Sequence, residues 1–248
     1  MNDVDPLVIS NWNVERAIPN QNRFNRITQT LSGIESDIWF LTETHEELVP
    51  NIGFHPIFSG TPDRHSQPGE RWSAIWSRWP IERLDQFVTD NSRCVAGRIG
   101  NTPFGDLLVY ATVLPWAKDP RGNEIGSFEI YKENLLIQQA DWLKLKSVFP
   151  MAVLFVAGDF NQSLAPKHYY GSKEKRALLE QVFAETQIFP LTAGGNDPIY
   201  RDSAPYACID HICVSTLLAD VEHTLRWPDA KTLDGADSDH YGVSVYIS

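Results

Sequence analysis

The chain has 248 residues, a formal net charge of -11, 42% hydrophobic and 21% charged residues, with 8 Trp, 8 Tyr and 12 Phe. That composition excludes a disordered chain, a collagen-like repeat and a coiled coil, and the length suits one large domain over residues 1–248. The acidic surface repels a polyanion at long range, which excludes strong non-specific duplex binding unless a basic patch or a bound divalent metal offsets it.

Short apolar runs alternate with a few helical patterns, the signature of layered α/β architecture. Residues 7–14 open β-like. The spacing predicts a helix over 23–36, where Phe24, Ile27, Leu31 and Ile34 recur at three- and four-residue intervals and Gly33 weakens the last turn. Residues 37–42 read as a short buried strand, and 72–77, 93–99 and 105–114 as further strands. Residues 128–149 form the clearest helix: Phe128, Tyr131, Leu135, Trp142, Leu145 and Phe149 mark one face, Ser127 is placed to cap it and Pro150 to stop it. Residues 151–157 follow as a strand buried on both faces. A second amphipathic helix spans 173–185, with Leu178, Leu179, Val182 and Phe183 inward. Strands close the chain at 207–214 and 241–247; in the last, Tyr241, Val243, Val245 and Ile247 share one face. Loops rich in Pro, Gly and polar residues lie at 60–71, 115–127, 162–172 and 192–206, and no linker divides the chain.

Cys94, Cys208 and Cys213 are an odd number without a CxxC, so neither a disulfide framework nor a zinc knuckle is expected. Cys208 and Cys213 have opposite parity along one strand and are expected to face different sides as small buried apolar residues. Residues 1–6 carry no basic region followed by an apolar stretch, and the longest apolar run, 151–157, is too short to span a bilayer. A cytoplasmic location with no membrane insertion is the expectation.

Several apolar runs end in carboxylates or carboxamides: Asn13-Val14-Glu15, Leu41-Thr42-Glu43 and Gly158-Asp159-Phe160-Asn161. Two later segments add Asp210-His211 and Ser238-Asp239-His240. A single Asp after a strand is ordinary turn chemistry. Five such segments drawn together would repel one another and resist desolvation, a conflict that a hard cation resolves. Oxygen donors without Cys and with little His favour Mg2+ or Mn2+ over zinc, and an Asp–His pair beside the ion suits charge stabilisation and proton transfer.

The ordered set W-N-V-E, L-T-E-T, G-D-F-N, I-D-H-I and S-D-H, running from residue 11 to 243, resembles the endonuclease/exonuclease/phosphatase superfamily. That group includes deoxyribonuclease-like enzymes, apurinic endonucleases, neutral sphingomyelinases and inositol polyphosphate 5-phosphatases. The resemblance implies a four-layer α/β/β/α sandwich of two mostly antiparallel sheets flanked by helices. It implies a metal-dependent hydrolase of phosphodiester bonds, with nucleic acid (DNA or RNA) or nucleotide as the leading substrate class. A phosphatase or phosphodiesterase acting on a small molecule or lipid headgroup is the alternative, and a catalytically weak binding module a further one.

Residue by residue, the resemblance assigns Glu43, Asn13, Glu15 and Asp239 to the metal side. It makes Asp159 the group that orients or deprotonates water, Asn161 the asparagine that hydrogen-bonds the phosphate or the nucleophile, His240 the phosphate contact and Asp210 the acid that orients His240. One departure stands out: the His or Tyr that many relatives carry before the proline falls on Val113, and the asparagine after it becomes Trp116. Metal-bound water, or Lys118 or Arg121 in the next loop, are then candidates for leaving-group assistance. Lys167, His168, Tyr169 and Tyr170 past the G-D-F-N motif, Arg64, His65, Arg71 and Trp72 in the earlier loop, and Trp116, Lys118 and Arg121 after the proline are candidate substrate contacts. His211 is read as structural, His45 as an exposed loop residue with a supporting role as its rival, and Trp72, Trp76 and Trp79 as core.

Overall fold

The computed structural model describes residues 5–62, 66–119, 121–215, 221–227 and 237–247. Arg64 and His65 lie outside them. In chain order the elements are β1 (Leu7–Asn13), α1 (Asn22–Ser32), β2 (Ile38–His45), β3 (His55–Phe58), β4 (Glu70–Ser77), β5 (Glu82–Arg83), β6 (Val95–Thr102), β7 (Gly105–Val113), α2 (Gly122–Ile125), α3 (Ser127–Val148), β8 (Val153–Asp159), α4 (Lys173–Thr186), β9 (Phe189–Pro190), α5 (Pro198–Ser203), β10 (Asp210–Val214), β11 (Val221–Trp227) and β12 (Gly242–Ile247).

The strands make two six-stranded sheets, ordered β11-β12-β1-β2-β4-β3 and β5-β6-β7-β8-β10-β9. Pairing is antiparallel except for β1 with β2 and β7 with β8. Alternation along the strands sends one set of side chains between the sheets and the other outward. The inner set, with Ile9, Phe40, Ile75, Val109, Phe155, Ile212 and Val245, is the central core. The outer face of the first sheet is covered by α1 through Phe24, Ile27 and Leu31 against Trp12, Trp39 and Trp76. The outer face of the second is covered by α3 and α4 through Tyr131, Leu135, Trp142, Leu179 and Val182. The result is the four-layer α/β fold expected from the motifs.

Several local expectations are corrected. The first helix stops at Ser32, because Gly33 closes it by donating its N–H to the carbonyls of the last turn. Ser127 does not cap α3; it is the first helical residue, and its hydroxyl accepts from Lys175 Nζ at 2.9 Å. Met151 is 92% exposed in the turn before β8 rather than part of a buried strand. His45 is buried in β2, where its ring meets the Pro68 carbonyl at 2.9 Å and accepts from Glu47 N–H at 3.1 Å. Cys208 packs in the central core and Cys213 in the outer one, the opposite facing that parity predicts. All three cysteines are buried free thiols.

Candidate active site

Both sheets deliver polar residues to the same rim. Parallel pairing of β1 with β2 sets Asn13 beside Thr42, so Glu43 follows at that edge. Antiparallel pairing of β8 with β10 sets Asp159 directly opposite Asp210. Asn13, fully buried, joins the sheets: its Nδ2 donates to Glu43 Oε1 and to Asp159 Oδ2, each at 3.1 Å. Its Oδ1 accepts the Glu15 N–H at 2.8 Å, so the amide works on both sides. Asn13 therefore aims Glu43 and Asp159.

The backbone at this rim is strained. Among the described residues seven non-glycines have φ in the left-handed region, and four of them, Glu15 (49°), Arg16 (54°), Glu43 (48°) and Asn161 (49°), line one cleft. Such conformations cost about 1–3 kcal/mol each and persist where the surroundings enforce them, which clusters them at working sites. At Glu43 the ladder between β2 and β4 skips a pair, matching Thr42 with Ser73 and Thr44 with Arg71. Gly158 has φ +142°, and a Cβ there would lie 1.9 Å from the Thr112 carbonyl oxygen. Only glycine lets β8 approach β7 just before Asp159.

Asp159 is held on both oxygens: Asn161 donates its backbone N–H to Oδ1 at 2.8 Å and Nδ2 to Oδ2 at 2.9 Å. Asn161 Nδ2 also reaches the Leu114 carbonyl at 2.9 Å. His240 is placed by the turn before β12. Its N–H donates to Ser238 Oγ at 3.0 Å, Ser238 Oγ donates to the Asn13 carbonyl at 2.7 Å, and Trp12 Nε1 donates to the His240 carbonyl at 2.9 Å. The His240 ring meets Asp210 Oδ2 through Nδ1 at 2.6 Å, and Nε2 lies 3.6 Å from Asp239 Oδ1. Asp210 Oδ1 is buried and has no hydrogen-bond partner among the described residues.

Electrostatics follow from this crowding. Burial pushes the Asp159 carboxyl from 3.8 up to about 8, reinforced by Asp210 and Glu43 and opposed by His240. Burial also raises Glu43, relieved in part by the Asn13 hydrogen bond. For His240 burial works against the charged form, yet Asp210, Asp159 and Asp239 together hold its pKa well above the usual histidine value. Ligand atoms of Asp159, Asp210 and His240 all lie within 4.8 Å of one another, a grouping able to hold a metal ion. Hard oxygen donors, an orphaned buried carboxylate oxygen and carboxyls pushed towards protonation all fit a divalent cation.

The cleft, of about 340 Å³, is lined by Glu15, Arg16, Glu43, Trp72, Trp116, Asp159, Asn161, Tyr170, Asp239 and His240. Glu15 borders it with its carboxylate turned to Arg23 Nη1 at 3.2 Å. Arg71, Lys118, Arg121, Lys167 and His168 do not line it. Arg71 is drawn to Glu46 at 2.5 Å, Arg121 lies 3.6 Å from Asp119, and Lys118, Lys167 and His168 are exposed. Tyr169 packs edge-on against Tyr206 at 5.7 Å. Val113 is fully buried, as its place in the strand requires. His211 is fully buried and structural, its ring nitrogens meeting the Gln162 carbonyl at 3.0 Å and Thr192 Oγ1 at 3.2 Å. Of the three tryptophans read as core, Trp76 packs under α1 and Trp79 against the central core, whereas Trp72 lines the cleft. Arg16 and the Ser238 bridge were not anticipated; the serine was visible in S-D-H, but nothing in the sequence marked Arg16.

The sequence profile of the Endonuclease/Exonuclease/phosphatase family matches residues 10–240. Among solved structures the chain is similar to an AP endonuclease from Archaeoglobus fulgidus, at 17% identity over 98% of this chain and 99% of that one, TM-score 0.68. It is similar to the 3'-5' exonuclease NExo from Neisseria meningitidis, at 17% identity over 98% and 100%, TM-score 0.66. The human Nocturnin catalytic domain, with a bound sulfate anion, aligns at 16% identity over 98% and 93%, TM-score 0.67. A search of the curated proteins found no match.

Proposed function

Because the chain belongs to the endonuclease/exonuclease/phosphatase family, we propose that it hydrolyses phosphodiester bonds with a divalent metal, Mg2+ or Mn2+, as cofactor. The observation that carries this reading is the Asn13 side chain, which gathers Glu43 from one sheet and Asp159 from the other beside the Asp210–His240 pair. Glu43, Asp239 and the free oxygen of Asp210 are the groups that would hold the metal, with Asp159 beside them. Bound there, the metal neutralises a phosphoryl oxygen and lowers the barrier to attack on an anion.

The chain's own residues supply the rest. Asp159, fixed by Asn13 and Asn161, receives a proton from water as the water oxygen forms the new P–O bond. His240, kept protonated by Asp210, donates from Nε2 to a phosphoryl oxygen as charge develops. The ester oxygen departs on the opposite side and takes its proton from solvent, since Val113 offers none. No helix among the described residues is long and apolar enough to cross a membrane. Three free thiols support a reducing, cytoplasmic setting.

Bis(4-nitrophenyl) phosphate tests the reading. Turnover is expected with added Mg2+ or Mn2+, loss with chelator, and a fall of about 10²-fold or more in Asp159→Asn and His240→Ala. Wild-type rates in either variant would overturn the assignment.

A further inference from the structure

We propose that Trp116, backed by Trp72 and Arg93, seats an unpaired nucleobase beside the reacting phosphate. On this view the substrate is a nucleotide or single-stranded nucleic acid, not an inositol, sugar or lipid-headgroup phosphate. This rests on the phosphoesterase reading and narrows it.

The aromatic flank is a built structure. Trp72 on β4 and Trp116 after β7 come from different sheets, and their rings meet at 5.9 Å and 46°. Arg93 lies under both, its guanidinium carbon 5.3 Å from the Trp72 ring and 5.7 Å from the Trp116 ring. Arg93 is only 6% exposed; Nη2 binds Asp119 Oδ2 at 2.6 Å, and Nη1 is buried with no hydrogen-bond partner among the described residues. A buried guanidinium with a nitrogen unspent on hydrogen bonds is costly, and here it is held against two π-faces. A cation on one face withdraws electron density from an indole. The opposite face then stacks better on an electron-rich purine or pyrimidine.

Trp116 is the half-buried member that lines the cleft together with Asp159, Asn161 and His240. Its distance from the chemistry is set by hydrogen bonds. Leu114, two residues before it, donates its N–H to the Asp159 carbonyl at 2.8 Å and accepts from Asn161 Nδ2 at 2.9 Å. Trp116 and His240 line the same cleft, so a base on the indole and a phosphate at the imidazole would share it. Arg16, whose guanidinium carbon sits 5.8 Å from the Trp72 ring, also lines the cleft, with its guanidinium engaged by both oxygens of Glu70 at 3.0 and 3.1 Å. A polyol would need a ring of hydrogen-bonding side chains at this flank, where the protein offers two indoles. A base inside a duplex is already stacked on both faces, so the seat favours one that is not.

The test is equilibrium binding of adenosine 5'-monophosphate and ribose 5-phosphate by calorimetry, in Mg2+, to the intact chain and to Trp116→Ala and Trp116→Phe. The wild type is expected to prefer the nucleotide by about tenfold, the size of one base–aromatic stack. That preference should vanish in Trp116→Ala and largely return in Trp116→Phe, with thermal midpoints confirming that both variants fold. Equal affinities in the wild type, an undiminished preference in folded Trp116→Ala, or no binding of either compound would each overturn it. Failure is separable from failure of the phosphoesterase reading: metal-dependent diester turnover without base preference sinks the seat alone, and base preference without turnover sinks the chemistry alone.

Discussion

Burial and the charges of Asp210 and Glu43 hold the Asp159 carboxyl near 8, although His240 pulls the other way. In the unfolded chain that carboxyl titrates near 3.9. Between about pH 4 and 8 the folded protein therefore binds more protons than the unfolded one, and stability falls as pH rises. His240 acts in the same direction. Its raised pKa contributes stability that is full below the unfolded value, about 6.5, and lost as pH climbs through the folded value. A divalent cation among these oxygens removes the reason for Asp159 to stay protonated. In chelator, the thermal midpoint is expected to fall from pH 5 to pH 8, and added Mg2+ to raise it more at pH 8 than at pH 5. A metal response of equal size at both values would contradict the charge balance described here. Asp210→Asn tests the neighbouring pair. Without the carboxylate 2.6 Å from Nδ1, His240 loses its main support for the charged form. Turnover should fall by about 10²–10⁴, and the alkaline limb of the kcat/KM profile should move to lower pH. A lower rate with an unshifted limb would mean that Asp210 only shapes the backbone.

The strand β8 shows how an element aims its last residue. Its parallel register with β7 places Gly158 beside Thr112 and Asp159 beside Val113. Gly158→Ala would drive a Cβ to 1.9 Å from the Thr112 carbonyl, backbone against backbone, so a strand has to shift. Destabilisation of about 3 kcal/mol is expected from denaturant unfolding, with turnover lost beyond what the lowered stability explains. A neutral effect on both would mean that the close approach is dispensable. This dependence also explains what sequence reading reached and what it missed among the elements. Long periodic segments such as α3 and α4 were visible because a buried helical face repeats. The strands β3, β5, β9 and β11 were missed: the first three are only two to four residues long and have no pattern of their own. Glu43 and Asp159 were legible as residue types after apolar runs, and His240 as one just before the last. The left-handed φ at Glu43 has no sequence signature, and that at Asn161 only the weak one of asparagine's tolerance for this region. Arg93 was hidden for a related reason, since a buried arginine is recognised only by its partners, Asp119 and two indoles.

At the scale of the whole molecule, the cleft exists because two sheets end at one rim, and no single strand contains it. The motif order carried this by resemblance; hydropathy alone would have left open which strands share a sheet. Composition carried the other global property, a net charge of -11. Most of the cleft's acidic groups sit at the reaction centre, and among the described residues the arginines that line or back it are Arg16 and Arg93, each paired with a carboxylate. The lysines and arginines proposed from the loops, Arg71, Lys118, Arg121 and Lys167, do not line the cleft. A protein that grips a nucleic-acid backbone through six to ten phosphate contacts loses about 10³–10⁵ in affinity between 50 and 200 mM salt, because each contact releases counterions. With so few cations at the site this chain can release little, and screening its own negative field partly offsets that loss. The KM for a short single strand, measured at fixed Mg2+ across that roughly fourfold rise in salt, is therefore expected to change by less than about tenfold. A steep rise in KM would show that a basic track outside the cleft holds the strand, and recognition would then rest on the backbone rather than on one phosphate and one base.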